Sequence, residues 1–197
     1  MAANAGVGFS ASMPQEWSDE ERAVLLRLAH CAIEAALRRE TLDTTPPTPH
    51  LAEMRGAFTT LHLFGNLRGC VGFIVPMYPL YRTVAETAVA AAFSDTRFPP
   101  VTETEAPGLV VEISVLSPIS PITAEEVVVG RHGLLISKGA RRGLLLPQVP
   151  LEHGWDRETF LQQTCYKAGF PPDAWKHGAT LEAFTAEVFG EAGAIPK

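Results

Sequence analysis

The sequence predicts an α+β fold. It reads as one compact mixed domain with two hairpin–helix–strand units behind an N-terminal helix, and the order leaves room for two lobes with a cleft between. Three observations predict this. Segments of helical spacing alternate with short β-rich runs. The order hairpin, helix, strand occurs twice. Apolar residues fill 46% of the 197 positions and charged residues 19%, enough for a core and too little charge for a disordered chain.

The elements follow in order. Residues 1–15 are small, polar and rich in alanine and glycine, and read as a mobile tail. Ser18-Asp-Glu-Glu21 is a capping-box pattern, in which the serine hydroxyl accepts an amide hydrogen bond and Glu21 reaches back. Leu25, Leu28, Ala32 and Ala36 then recur at helical spacing, predicting a helix from Asp19 to Arg39. Prolines 46, 47 and 49 stop it, because proline lacks the amide and restricts its predecessor. Ala57 to Phe64 and Leu67 to Val75 are β-rich runs, and Gly65-Asn66 between them predicts a two-residue hairpin turn. Leu80 to Phe93 carries Leu80, Val84, Ala88 and Ala91 on one stripe and predicts a helix. Asp95 to Pro107 reads as loop, and Leu109 to Leu116 as a strand ended by Pro118 and Pro121.

The second half repeats the order. Leu134 to Ser137 and Gly143 to Leu146 read as strands around the turn Lys138 to Arg142. Asp156 can cap a helix carrying Phe160, Leu161, Cys165 and Ala168, and Gly169 can end it. Phe184, Ala186 and Val188 alternate in a last strand. The pattern is that of a quasi-duplicated α+β domain over residues 16–191, followed by a short tail at 192–197.

Composition narrows the function classes. The formal net charge is −6, whereas a protein that grips phosphates carries a basic surplus, so nucleic acid is not the expected partner. The three cysteines, Cys31, Cys70 and Cys165, are too few and too scattered for a disulfide framework, which fits a reducing compartment. The sequence shows no secretory signal pattern and no apolar run near the ~20 residues of a membrane span. A cytoplasmic protein with no membrane partner is expected. No metal site is expected, because no Cys or His pair has zinc-binding spacing and the six histidines are scattered. A P-loop, a dinucleotide-binding glycine fingerprint and a Gly-x-Ser-x-Gly elbow are all missing, and the cofactor is left unknown.

The segment with most chemical character is Leu67-Arg-Gly-Cys-Val-Gly72. Gly69 and Gly72 flank Cys70 and leave its thiol uncovered, or mark where something approaches the backbone. Arg68 and Cys70 are two apart and share a face in a regular strand, and a nearby guanidinium favours the nucleophilic thiolate. The alternative is a small core cysteine in a glycine-kinked strand. If Gly65-Asn66 is the turn, Leu61 faces Cys70 and His62 points to the opposite side, which makes His62 a poor base for it. His132, between Gly130-Arg and Gly133, is then the candidate acid/base group, or a solvated loop histidine. Glu112 and Ser114 lie on one face of an otherwise apolar strand, so Glu112 faces solvent or pairs, with Arg68 a plausible partner. Asp95 and Arg97 either order their loop or contribute to a ligand site. Lys167 complements a helix dipole or reads a substrate anion.

These segments together resemble a known family. Leu67-Arg-Gly-Cys-Val-Gly72 is similar to the signature hexapeptide of the AMMECR-type domain, named for the Alport, midface hypoplasia and elliptocytosis chromosomal region. Asp95 to Phe98, Glu112 to Leu116, His132-Gly133, Leu145-Leu-Pro-Gln148-Val149 and Cys165 to Gly169 occur in the family's order, and Val71 stands where isoleucine is common. The resemblance implies a mixed α+β fold with a cleft lined by the hexapeptide, and a family without an established activity. It also implies a link to Memo-type and radical-SAM proteins in a modification or redox pathway. Two functions follow as expectations. One is an accessory protein binding a small ligand or protein partner through Arg68, Gly69, Gly72, Asp95, Arg97, Ser114, Gln148 and Lys167. The other is a cysteine-dependent enzyme acting on a small anionic substrate through Cys70, Glu112 and His132.

Overall fold

The elements begin and end where local chemistry directs. In the computed structural model, which describes residues 15–192, α1 (Asp19–Arg38) starts on a complete capping box. The Glu21 amide donates to Ser18 Oγ at 3.2 Å, and the Ser18 amide donates to the Glu21 carboxylate at 2.9 Å. Arg39 takes a left-handed conformation and closes the helix. Of the tails expected at residues 1–15 and 192–197, residues 1–14 and 193–197 lie outside the described residues.

The chain continues through β1 (Ala57–Leu63), β2 (Asn66–Phe73), α2 (Leu80–Phe93), β3 (Leu109–Leu116) and β4 (Ser120–Pro121). The second half holds β5 (Gly133–Lys138), β6 (Arg141–Leu145), α3 (Val149–Glu152), α4 (Arg157–Lys167), β7 (Thr180–Phe184) and β8 (Ala186–Gly190). The Asp156 carboxylate accepts from the Thr159 amide at 2.8 Å and caps α4 as expected. The strands form two antiparallel sheets, β2-β1-β3-β8 and β6-β5-β7-β4. Each is a hairpin, a third strand and a fourth strand lent by the other unit. The chain crosses from β3 to β4 and from β7 to β8, and the paired crossings bend together. There the Ser117 amide donates to the Thr185 carbonyl at 2.9 Å and the Thr185 amide to Ser117 Oγ at 2.9 Å. The single last strand expected over Phe184, Ala186 and Val188 is therefore two strands in different sheets, broken at Thr185. Alternation within a strand carries no mark of which sheet it joins.

Helices α1 and α2 cover one face of the first sheet. Leu25, Leu28 and Ala32 of α1 and Val84, Ala88 and Ala91 of α2 pack with Leu61, Val111 and Ile113 in one buried cluster. Helix α4 packs on the second sheet, where Phe160 and Leu161 meet Leu134. The close fit of helix on hairpin explains one glycine in each unit. A Cβ at Gly69 would lie 2.1 Å from the Ala91 carbonyl oxygen, and one at Gly143 would lie 2.4 Å from the Ala168 nitrogen.

Candidate functional site on the first sheet

The β1–β2 hairpin departs from the expected register. The turn residues are Phe64 and Gly65, both at positive φ (52° and 77°), as a tight two-residue turn with matching twist requires. Leu63 therefore pairs with Asn66 and His62 with Leu67, one step from the Gly65-Asn66 expectation. A bulge follows: Leu61 pairs with Gly69, leaving Arg68 as the extra residue, and Thr60 pairs with Cys70.

These shifts redistribute the side chains. Arg68 does not share a face with Cys70, as a regular strand would dictate. The bulge turns it inward, where its side chain is 9% exposed and binds Glu105 through Nε at 3.0 Å and Nη2 at 3.1 Å. Glu112 is therefore not its partner. The guanidinium holds Glu105 well below the usual carboxylate range, down to about 2, helped by the Thr102 amide. Arg68 Nη1 is buried without a hydrogen-bond partner among the described residues.

On the opposite face, a row runs across three strands: Cys70 on β2, Thr60 on β1 and Glu112 on β3. Thr60 Oγ1 donates to Cys70 Sγ at 3.2 Å. His62 stands two residues from Thr60 and so lies on this face too, contrary to the sequence expectation that it points away from Cys70. Burial raises the Glu112 carboxyl above its ordinary range, and His62 pulls in the opposite direction. The His62 Nε2 atom is buried and has no partner among the described residues. Ser114 lies two pairs along from Glu112, opposite Phe58, and Phe58 lays its ring over Gly72, where a Cβ would come within 2.2 Å of it. All seven of these side-chain-bearing or glycine positions are half-buried, and the helices of this unit pack on the other face.

Asp95 sits at the outer edge of β2. Its carboxylate accepts from the Cys70 amide at 2.9 Å, and from Nε and Nη2 of Arg97 at 2.9 and 2.7 Å. These bonds, the Arg97 contacts foremost, hold Asp95 far below the ordinary carboxylate range. Arg97 is thereby tied through the Asp95 carboxylate to the backbone of Cys70.

The remaining expected residues belong to the second unit. His132 Nδ1 accepts from the Val128 amide at 3.2 Å, closing the turn before β5. Burial, then Arg131, lowers its pKa, while Glu126 opposes them. Gln148 is exposed at the start of α3, and Lys167 is exposed at the end of α4. A recess of about 320 Å³ between Thr123–Glu125 and Trp175–Leu181 also lies in this unit, apart from the Cys70 row. In the first unit, Glu16, His50 and Glu53 bring three ligand atoms within 4.8 Å of one another. Arg55 already pairs with both carboxylates, and His50 with Glu21.

Cys70, Glu112 and Ser114, named from the sequence, thus share this face with Thr60, which was not named, and His62, which was expected on the other side. The available signal was Gly69, since a glycine inside a strand often marks a bulge.

Known proteins are similar to this chain in sequence and architecture. The family described as AMMECR1 matches residues 26–189. The chain belongs to the AMMECR1 family. A protein of Thermococcus onnurineus is 47% identical over 189 residues, covering 88% of this chain and 91% of that protein. Protein MK0488 of Methanopyrus kandleri is 42% identical over 191 residues, covering 91% and 92%. The crystal structure of the uncharacterized protein PH0010 from Pyrococcus horikoshii has a TM-score of 0.70 at 44% identity, covering 85% of this chain and 90% of that one. The hexapeptide on β2, the loop holding Asp95 and Arg97, and β3 with Glu112 all fall inside the matched AMMECR1 segment. No helix among the described residues is long and apolar enough to cross a membrane.

Proposed function

We propose that the half-buried face of the first sheet binds a small ligand or a partner segment through Cys70, Thr60, Glu112 and His62. In this reading the protein is an accessory binding component of a modification or redox pathway, the setting that the family resemblance links to Memo-type and radical-SAM proteins. The observation that carries it is the row Cys70–Thr60–Glu112, on a face the packed helices leave open. A thiol, a hydroxyl, a carboxyl and an imidazole on one half-buried surface cost desolvation, and a folded core alone gives no return for it. Gly72 beneath Phe58, and Ser114 beside Glu112, shape the same face.

One observation favours a second reading, a cysteine-dependent enzyme. Burial raises the Glu112 pKa and the nearby His62 imidazole opposes it, so the face brings two proton-exchanging groups near the Cys70 thiol. Asp95 and Arg97 then belong to the same site from the edge of β2. His132, Gln148 and Lys167 have no role in it.

The test is alkylation of Cys31, Cys70 and Cys165 in the folded protein by iodoacetamide, read by mass spectrometry. The binding face predicts that Cys70 labels in the native state while Cys165, fully buried in the second unit, does not. A Cys70 that stays unlabelled until the protein unfolds refutes it. Turnover of any substrate that survives Cys70→Ser and Glu112→Gln together removes the cysteine-dependent reading.

A further inference from the structure

We propose that Arg97, clamped by Asp95, is an anion-reading residue at the Cys70 face, and that the ligand is a small molecule ending in a carboxylate or phosphate. This rests on the reading of that face as a binding surface and names what it binds.

The clamp separates its two charges in space. The Asp95 side chain is 6% exposed and its carboxylate is filled from within the protein, by the Cys70 amide, the Arg97 amide at 3.1 Å and two guanidinium nitrogens. The Arg97 side chain is 57% exposed. Its Nη1 has no protein partner among the described residues. The negative charge therefore faces inward and the positive edge faces water. A single oxygen, Asp95 Oδ2, accepts from both the Cys70 amide and Arg97 Nη2, which ties the guanidinium to the backbone of the cysteine. The Cys70 sulfur is in turn among the groups that raise the Arg97 pKa, after the dominant Asp95 contact.

A planar guanidinium with one edge occupied keeps the other edge for a bidentate or single-oxygen contact to a carboxylate or phosphate. The buried cation of the hexapeptide, Arg68, is spent on Glu105 and faces the helices, so it does not compete for this role. An oxyanion seated on Arg97 places the body of a small ligand over Cys70 and Thr60, toward Glu112. Burial raises the Glu112 pKa, which favours the neutral carboxyl over the anion on this face.

The experiment compares two alkylating probes of nearly equal size, anionic iodoacetate and neutral iodoacetamide, at neutral pH. Cys31, exposed on α1, serves as the reference thiol in the same molecule. The ratio of iodoacetate to iodoacetamide rates at Cys70 is expected to exceed that at Cys31 by about fivefold, the effect of one unit charge at contact distance in water. Arg97→Gln removes the excess, and Arg97→Lys keeps part of it. Inorganic phosphate is expected to slow iodoacetate at Cys70 in the unsubstituted protein but not in Arg97→Gln. The thermal midpoint of each variant confirms that it folds, and the exposed Arg97 makes its two variants the least disruptive. Cys70 that labels with equal ratios, or with an excess unchanged in Arg97→Gln, overturns the anion assignment and leaves the binding face standing. Cys70 inert to both reagents overturns the binding face, and the anion assignment with it.

Discussion

Arg68 sits beside the cysteine in sequence and apart from it in the fold, and replacing its partner tests that separation. Glu105→Gln removes the negative charge that Arg68 binds with two nitrogens and leaves a guanidinium that is 9% exposed without a counter-ion. Breaking one side of a buried pair costs about 3–5 kcal/mol, and Glu105 is open enough to water to put this pair at or below the lower end. A second route gives a similar size. The folded protein lowers Glu105 from 4.5 to about 2, and at ~1.4 kcal/mol per unit that is at most about 3 kcal/mol, reduced by solvent screening to about 2. A carboxyl whose pKa is lowered on folding stabilises above its unfolded value, and the contribution is lost as pH falls through the folded one. The advantage of the unsubstituted protein over Glu105→Gln is therefore full above pH 4.5 and shrinks steadily toward pH 2. Urea unfolding across that range measures it. Arg68→Met fills the same space without charge and is expected to cost less than Glu105→Gln, since it leaves no buried cation and removes an unpaired Nη1. Neither variant is expected to change native alkylation of Cys70. A pH-independent difference refutes the ion-pair account, and a fall in Cys70 labelling in folded Arg68→Met refutes the assignment of Arg68 to the inner face.

Two further outcomes follow from the same geometry. Gly69→Ala places a methyl 2.1 Å from the backbone oxygen of Ala91, which cannot rotate away, so α2 must shift off the sheet. The expected loss exceeds about 3 kcal/mol in urea unfolding, and a loss below about 1 kcal/mol contradicts the close packing of helix on hairpin. Glu112→Gln acts in the opposite direction. Because burial raises the Glu112 pKa on folding, the ionised carboxylate destabilises the native state at neutral pH, and the amide relieves this. The variant is expected to melt higher at neutral pH, with the gain vanishing once the pH falls below the 4.5 of the unfolded carboxyl. A lower melting point at neutral pH would mean that Glu112 is paired rather than merely buried.

The sequence expressed the local half of the fold and left out the non-local half. The capping box of α1, the apolar stripe of α2, the alternation of β3 and the Asp156 cap of α4 are each set by residues a few positions apart, and each lies where the pattern indicates. The hairpin register depends on which two residues take positive φ, and Phe64 is an unusual occupant of that region, so Gly65-Asn66 was the better local candidate. A slip of one residue exchanges the faces of a strand, which is why Thr60 and His62 were hidden while Cys70, Glu112 and Ser114 were visible by residue type. Arg68 failed for a different reason: a slip would move Arg68 and Cys70 together, and it is the bulge that parts their faces. The break at Thr185 is invisible locally because Phe184 and Ala186 are both compatible with one continuous strand.

The internal duplication separates what the fold needs from what the first unit adds. Superposing the pairings by register sets Arg68-Gly69-Cys70 against Arg142-Gly143-Leu144, since Gly69 pairs with Leu61 and Gly143 with Ile136, both fully buried. Both glycines lie under a helix backbone, so the glycine is explained by packing in each unit. The row that follows is Cys70–Thr60–Glu112 in the first unit and Leu144–Leu135–Glu182 in the second. An equivalent hairpin, with an equivalent helix behind it, thus accepts leucine where the first unit has cysteine and threonine. Packing does not demand the thiol or the hydroxyl, and the edge that Asp95 and Arg97 close beside Cys70 gives the first unit a clamp that no expected residue of the second unit reproduces. In this row the two units share a glutamate, Glu112 and Glu182, and differ at Cys70 and Thr60, so the thiol and the hydroxyl are what the first unit adds.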